Sequence, residues 1–592
     1  MKSMVELTIS MLRELGEICR VRTSRDELTI LAREREEGVS FLTITMPSLE
    51  KEILSLLDKG YSDTNFKSFR TGIGGLPKFL SGFLQIIFPL GSSYPASTSP
   101  ESAAALRAVR QILSLHSKVE LECTPDRIAA AVHGYVETDD RIRDVDPVLL
   151  REFRITATEL FGSYLRDVER VVLSENFAPR HSSGALATRE SYNSRYSLGF
   201  WTERLQSVLP WWHILSVNWR DSYENPPVVL SEEDERPAKL TLVPKTMKTP
   251  RVIAMEPAEH QYVQQGLHSA MREVLDMPKH RALYESMCWA DQSFNRDLAR
   301  QASIDQGYAT IDLSEASDRV SLQLAQAVLG SNLLVGKVAL ASRSRSIILP
   351  DGTKHYLKKF ASMGSALCFP IETMVFRTII EMGMRRSPTY KRTGVKPPVR
   401  VYGDDLIIPI DSTQSVCDLL EAMGLKVNLS KSFWASAFRE SCGSDWYSGH
   451  DVSIVRNRAA SPTRSDHFTL IAKEVDLHNR LYERGYYQTA GLVEKRLRRL
   501  RHIPYAPVGT PGVCFWSWES SYYKTRVNRD LQRLEVQVLS VMQRKPLDQL
   551  SDFGALRKCL THKGENPREL AHLERDGRSQ PVGMKVGWAT LV

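Results

Sequence analysis

The sequence is short of the features that would place it outside a reducing cell interior or in a membrane. Its eight cysteines are scattered, with no C-x-x-C pair, so neither a zinc site nor a disulfide framework is legible and a reducing cytoplasm is expected. No apolar run is long enough to cross a bilayer: the most apolar stretch, Phe79 to Leu90, is short and contains Gly82 and Pro89. The opening MKSMVELTISMLRELGEICR carries acidic residues and reads as an amphipathic helix, not a signal peptide. No internal repeat or long low-complexity tract is present. His260, His268 and His280 lack metal-ligand spacing with acids and read as structural.

What is there is a 592-residue chain of ordinary globular composition, 42% hydrophobic and 25% charged, long enough for several packed subdomains. A formal charge of +8 weakly favours a polyanionic partner. Before about residue 240, helical patterns alternate with breaker clusters such as Gly91 to Pro100, and Asn225 to Pro237 reads as a polar connector. A long helix is expected from about Ser465 to Leu500. It ends in a cationic cluster, Lys495 to Arg501, that either grips phosphates or is a solvated helix end. Pro- and Gly-rich punctuation follows, from Pro504 to Pro511, and then a second helix from about Tyr522 to Arg544. The polar last stretch of the chain is expected to be loosely held.

The chemistry is concentrated between these regions. In Val399-Arg-Val-Tyr-Gly-Asp-Asp-Leu-Ile-Ile-Pro409, two β-prone runs flank Gly403-Asp404-Asp405, the pattern of a tight hairpin with two carboxylates at its tip. Adjacent acids repel, so they either face solvent or neutralise a cation. Upstream, Gly307-Tyr-Ala-Thr-Ile-Asp-Leu-Ser314 reads as a buried strand ending in Asp312. The next fifteen residues, Glu315 to Leu329, have helical periodicity, with Ser314 as the expected N-cap. Asp312 brought against Asp404 and Asp405 would form an all-oxygen site suited to Mg²⁺ or Mn²⁺. Two such ions would serve in-line phosphoryl transfer.

These residues resemble a known family. Tyr402-Gly-Asp-Asp405 is similar to motif C of viral RNA-dependent RNA polymerases, and Asp312 to Asp318 to their D-x(5)-D motif A. Phe360 to Thr373 resembles motif B, Leu242 to Pro257 the basic motif F, and Gly424 to Phe433 motif D. Phe438 to Gly449 follows the corresponding segment of RNA-bacteriophage replicases, and Trp289 to Arg296 adds support. The order of the six motifs is the family's, and the resemblance is to leviviral replicase β chains. N-terminally, Pro179 to Ala185 looks like a family segment usually richer in Gly and Pro, from which Ser182-Ser183 departs.

The resemblance implies roles for single residues. Asp312, Asp404 and Asp405 match the metal ligands, with Asp405 the most tolerant. Lys245, Lys248 and Arg251, in a Pro-bracketed β-like run, would bind triphosphate. Asp318 would face the incoming ribose. Ser362 and Gly364 would let the backbone approach template or nucleotide closely. Many viral RNA polymerases carry Thr and Asn where this chain has Cys368 and Glu372. Glu372 is similar to the RNA-phage group, whereas Cys368 departs from its usual Thr. Lys431 is a candidate proton donor to pyrophosphate, with a surface lysine as the alternative. The hairpin from Ser346 to Leu357 reads as scaffold.

The implied fold is α+β, a right-hand polymerase with fingers, palm and thumb whose antiparallel palm sheet is flanked by helices. Residues 1–240 are expected to be mostly fingers, and 241–300 motif F with the fingers–palm connection. Residues 301–450 would be palm, and 451–592 thumb and C-terminal region. The implied activity is template-directed RNA synthesis with two Mg²⁺ (or Mn²⁺), copying a positive-strand phage genome without a primer. The expected partners are RNA template and product, ribonucleoside triphosphates, and host elongation factors Tu and Ts with a ribosomal small-subunit protein. The cytoplasm of an infected bacterium is the expected setting. A reverse transcriptase would share the carboxylates but typically has an aromatic gate in motif A. A non-catalytic RNA-binding or packaging protein would share only the charge.

Overall fold

The computed structural model describes the chain except residues 1, 61–65, 73, 92, 94, 175–176, 178, 183, 189, 191, 331–332, 395, 562–570, 575–578 and 592. Ser183, and Ser92 and Tyr94 of the breaker cluster, thus lie outside the described residues. The architecture is α+β: helices surround several small sheets, of which the three-stranded ones are antiparallel throughout. Among the described residues, no helix is long and apolar enough to cross a membrane.

The central sheet is built from three strands in the order Tyr308–Ile311, Asp405–Pro409, Arg400–Tyr402, all antiparallel. Ala309, Ile311, Val401, Leu406 and Ile408 are buried, as a sheet covered by helices requires. The segment around Lys426 to Phe433 continues the sheet beyond its first strand through bridges Leu313 to Val427 and Thr310 to Phe433. One face is closed by helix Cys368–Arg386, buried along nearly its whole length, and helix Pro147–Leu173 packs against that helix.

A second apolar core joins distant parts of the chain. It combines Leu7, Met11, Phe41, Phe83 and Leu106 with Phe438, Tyr447, Leu481 and Leu497. The N-terminal helix Lys2–Cys19 forms as expected, burying Met4, Leu7, Met11 and Leu15. Its Glu14 accepts hydrogen bonds from the backbone N–H groups of Gln488 and Thr489 at 2.8 and 2.9 Å. Buried Arg110 ties this core to the segment beyond the central sheet, bridging Glu50 at 2.8 Å and Asp445 at 2.9 Å. Asp58 accepts from the N–H groups of Ala435 and Ser436 at 3.0 and 2.9 Å. The N-terminal helices therefore hold the strands that follow the carboxylate turn.

Six expectations are corrected. The helix expected from Glu315 to Leu329 is two helices, Ala316–Arg319 and Leu322–Leu329. Val320 is extended between them, and Ser321, not Ser314, is the capping residue, accepting from Leu324 N–H. The long C-terminal helix breaks into Phe468–Glu483 and Tyr487–Arg498 at Gly485, whose φ of +83° no helix accommodates. The second expected helix is instead strands Thr525–Asn528 and Arg533–Arg544. The end of the chain is not loose throughout: strand Gln580–Thr590 pairs along Arg533–Arg544. Finally, Lys245, Lys248 and Arg251 do not share one β-like run. They lie at the end of a hairpin whose strands, Ala238–Val243 and Arg251–Met255, pair Val243 with Arg251.

That basic hairpin leads into Glu256, which is fully buried beside Ser344 and Arg343. Burial pushes its carboxyl from the usual 4.5 up to about 7. Between those values the folded state holds the proton more tightly than the unfolded chain does. Stability therefore falls as pH rises through this window, and the full penalty is present above about pH 7. Glu256→Gln should melt like the parent near pH 4 and be more stable by about 2 kcal/mol at pH 8, read as paired thermal melts.

Candidate active site

The turn between strands Arg400–Tyr402 and Asp405–Pro409 has two central residues, because Tyr402 pairs directly with Asp405. Gly403 has φ +59°, and a Cβ there would sit 2.8 Å from the Phe369 ring, so both conformation and packing demand glycine. Asp404 is left exposed at the tip, and Asp405 begins the returning strand. On the neighbouring strand Ile311 pairs with Leu406, so the register carried one step further sets Asp312 opposite Asp405. Asp312 thus lies just past its strand's end, with Asp404 in the turn and only Asp405 on a strand.

The three carboxylates feel one another. Burial pushes Asp405 up to about 6, reinforced by the charges of Asp404 and Asp312. Asp312 is also raised, first by burial, with Asp404 adding to it and Lys431 and Asn428 opposing. Asn428 Nδ2 donates to Asp312 Oδ2 at 2.7 Å, and Lys431 Nζ lies 3.4 Å from Oδ1. The N–H of Cys442 donates to Asp405 Oδ2 at 3.2 Å. Burial works against the charge of Lys431, but Asp312, Glu440 and Asp404 outweigh it and raise its pKa.

Cations from remote segments converge here. Lys245 is lowered by desolvation and by Arg251 and Lys431, against the attraction of Asp404 and Asp312. Lys51, from helix Met46–Lys59, is lowered by burial and by Lys248 and Lys431, while Asp312 opposes the shift. By contrast, three residues of the Lys495 to Arg501 cluster are engaged within the fold. Arg496 pairs with Glu474, Arg498 with Glu494, and Arg501 donates to the Met584 carbonyl.

A second group of side chains adjoins the carboxylates and acts on their charge. Glu372 and Cys368, in the first turns of helix Cys368–Arg386, are buried, and Glu372 Oε2 has no hydrogen-bond partner. Burial, then Asp404 and Asp318, holds the Glu372 carboxyl well above its usual range. Burial, then Glu372 and Asp318, does the same to the Cys368 thiol. Asp318 is paired with Lys359 at 3.0 Å. Ser362 Oγ lies 2.6 Å from the Tyr135 hydroxyl. Gly364 makes a close approach to protein backbone: a Cβ on it would stand 2.0 Å from the Ala254 carbonyl oxygen of the basic hairpin.

The donor set suits a divalent cation: Asp312, Asp404 and Asp405 are hard carboxylates gathered at one end of the sheet and acting on one another's charge, and the Lys431 ammonium stands beside Asp312, although their oxygens do not all lie within 4.8 Å of one another. Among the described residues, the trio of ligand atoms all within 4.8 Å of one another is a different one, Asp139, Asp140 and His355. Asp139 there accepts from the N–H groups of Lys358 and Lys359 at 3.0 and 2.9 Å and from His355 at 2.9 Å. Those bonds make it a structural clamp. His260 and His280 are likewise buried against Ser344 and Asp167.

Asn428, Lys51, Lys359 and Tyr135 are the residues that sequence reasoning missed. Asn428 stood inside the run from Gly424 to Phe433 and was legible as a polar neighbour of Lys431. Nothing in spacing or composition signalled the other three.

Residues 232–473 match the family model described as RNA replicase, beta-chain. The RNA-directed RNA polymerase subunit beta of Qbeta virus (strain MX1) is 34% identical over 231 residues, 38% of this chain and 36% of that one. The RNA-directed RNA polymerase beta chain of Escherichia phage MS2 is 35% identical over 211 residues, 36% of each chain. The match spans about a third of the length of these curated relatives. Among solved structures, the RNA-dependent RNA polymerase of BmCPV in its quiescent state has a TM-score of 0.45 at 10% identity, covering 77% of this chain and 43% of that one.

Proposed function

We propose that this chain, which carries the RNA replicase beta-chain pattern over residues 232–473, is an RNA-dependent RNA polymerase that copies a positive-strand phage genome and its complement. The carrying observation is that Asp312, Asp404 and Asp405 stand at one end of an antiparallel sheet and feel one another's charge and that of cations from remote segments. In this reading the central sheet is the palm of a right hand. Residues 1–240 are mostly fingers, 241–300 connect fingers to palm, 301–450 carry the palm motifs, and 451–592 form the thumb and C-terminal region.

Asp312 and Asp404 would hold two Mg²⁺ (Mn²⁺ can replace it), with Asp405 contributing less. Those ions, when bound, would favour ionisation of the attacking 3′-hydroxyl and offset charge on the leaving pyrophosphate. Lys245, Lys248 and Arg251 draw in and orient the triphosphate. Asp318 and Glu372 contact the sugar, and Ser362 and Gly364 let the backbone approach template or nucleotide closely. Lys431, whose pKa its acidic neighbours raise, would give a proton to pyrophosphate. RNA template and product, ribonucleoside triphosphates, host elongation factors Tu and Ts and a ribosomal small-subunit protein are the partners, in the cytoplasm of an infected bacterium.

The test is labelled-nucleotide incorporation on single-stranded RNA without primer, with and without Mg²⁺, and with and without the two elongation factors. Full-length complementary RNA made with ribonucleotides and not deoxyribonucleotides is the expected result. Preference for deoxyribonucleotides would favour the reverse transcriptase. No synthesis in any condition by a folded chain, on several templates, would leave a missing partner or the non-catalytic RNA-binding or packaging protein.

A further inference from the structure

Lys359 stands immediately before the Phe360 to Thr373 segment, and its side chain is fully buried. A buried ammonium is tolerated only where other groups replace its hydration. Two do so here. Asp318 Oδ1 accepts from its Nζ at 3.0 Å, and the Tyr135 ring lies beneath it at 3.4 Å from the centroid. The backbone around Lys359 is pinned as well. Its N–H donates to Asp139 Oδ1 at 2.9 Å, Phe360 N–H donates to the Val320 carbonyl at 2.9 Å, and Leu322 N–H donates to the Lys358 carbonyl at 3.1 Å. The lysine therefore has little freedom to follow Asp318 if the carboxylate moves.

Asp318 sits on the four-residue helix Ala316–Arg319, preceded by Glu315 at φ +48° and followed by extended Val320. So short a helix has little rigidity of its own, and the Lys359 contact supplies what it lacks. The Asp318 side chain remains 21% exposed, and its charge acts on both Glu372 and Cys368. Tyr135 also reaches Ser362 at 2.6 Å, so one aromatic residue joins the lysine to the Phe360 to Thr373 segment. Burial and then the charge of Asp318 push its phenol far up, which keeps it neutral as a hydrogen-bond partner.

We propose that Lys359, seated on Tyr135, is a positioning residue that orients the Asp318 carboxylate toward the sugar of the incoming nucleotide and so sets discrimination between ribose and deoxyribose. This rests on the polymerase reading and on Asp318 as the sugar contact. A site built to pair with a hydroxyl rejects the analogue lacking it, provided the pairing group is held in place. Releasing Asp318 weakens the hydroxyl contact without touching what binds base and triphosphate.

The experiment measures kcat and KM for ATP and dATP opposite template uridine, using the full chain. Lys359→Met is expected to lower the ATP-to-dATP ratio of kcat/KM by about tenfold or more, mainly through the KM for ATP. Lys359→Arg should recover part of the ratio, and Lys359→Met should add little to the loss in Asp318→Ala, because both remove one contact. Equal slowing with both nucleotides would mean a purely structural lysine and would overturn the proposal. If Lys359→Met does not fold, Tyr135→Leu removes the ring under the ammonium. A lowered ratio then supports the proposal, and an unchanged one overturns it. An unchanged ratio in Asp318→Ala would remove the sugar contact and this inference with it. A drop in Asp318→Ala but not in the Lys359 and Tyr135 variants sinks the inference alone, and absence of incorporation by the parent chain sinks the polymerase reading.

Discussion

Asp404→Asn and Asp312→Asn should each abolish measurable RNA synthesis, a loss on the order of 10³-fold or more, while leaving template binding and melting temperature close to the parent. Asparagine keeps the shape and one oxygen but removes the charge a divalent cation needs. Asp404 is exposed at a turn tip, so its substitution leaves no buried group unpaired. Asp312 is also held by Asn428 and Lys431, and its substitution loosens Lys431 as well. Asp405→Asn should be milder, about tenfold to a hundredfold, because an amide oxygen can still accept from Cys442 N–H. The three variants are compared by single-turnover incorporation and by filter retention of labelled RNA. Retained synthesis in Asp404→Asn would refute the assignment of the site. Lost RNA binding in all three would point to misfolding instead.

This site was legible because its information is local. Tyr402 to Asp405 carries its own turn chemistry, and the strand before Asp312 shows itself by a run of apolar and β-branched residues. Joining the two segments required register, which the pairing of Ile311 with Leu406 provides and spacing alone cannot. The errors have the same origin. Leu, Gln, Arg and Glu are good helix formers, so Arg533 to Arg544 looked helical. In the fold, strand pairing wins instead: Val536 and Val538 are buried, and Glu535 is held by Arg526 and Arg533 beside a long strand partner. The partner lies at the far end of the chain, where no local pattern announced it.

The misplaced helix cap is a finer case. Ser314 precedes an apolar-periodic stretch and looks like an N-cap, yet its N–H donates to the Lys426 carbonyl as part of the sheet's edge. The helix restarts only at Ser321, after Val320 turns to meet Phe360. Tertiary pairing therefore decides where the helix begins, and it also places Asp318 within reach of Lys359. The joint core between the N-terminal helices and the segment after Phe433 was equally hidden. Burial of Phe83 and Phe438 in one cluster is a property of packing over hundreds of residues, whereas the apolar face of Lys2–Cys19 is visible in its own periodicity.

Gly364→Ala should destabilise the protein by about 3–5 kcal/mol and slow synthesis by about a hundredfold in whatever folded fraction remains. Two independent costs combine. The residue has φ +125°, a conformation that an L side chain rarely adopts, and its Cβ would stand 2.0 Å from the Ala254 carbonyl oxygen. That oxygen belongs to backbone, so no side-chain rotation relieves the clash and strand Arg251–Met255 must shift. The strand cannot shift freely, because Ala254 N–H is bonded to the Met363 carbonyl at 2.8 Å. Any displacement therefore carries Arg251 and the adjoining Lys245 and Lys248 away from Asp404 and Asp312. Gly352→Ala separates the two costs: it has φ +88°, but a Cβ there meets nothing within 4 Å. It should lose only the conformational part, about 1–2 kcal/mol, with synthesis unchanged. Thermal melts and nucleotide incorporation on both variants decide the matter. If Gly364→Ala behaves like Gly352→Ala, the basic hairpin is not fixed by this contact, and the convergence of its cations on the carboxylates needs another cause.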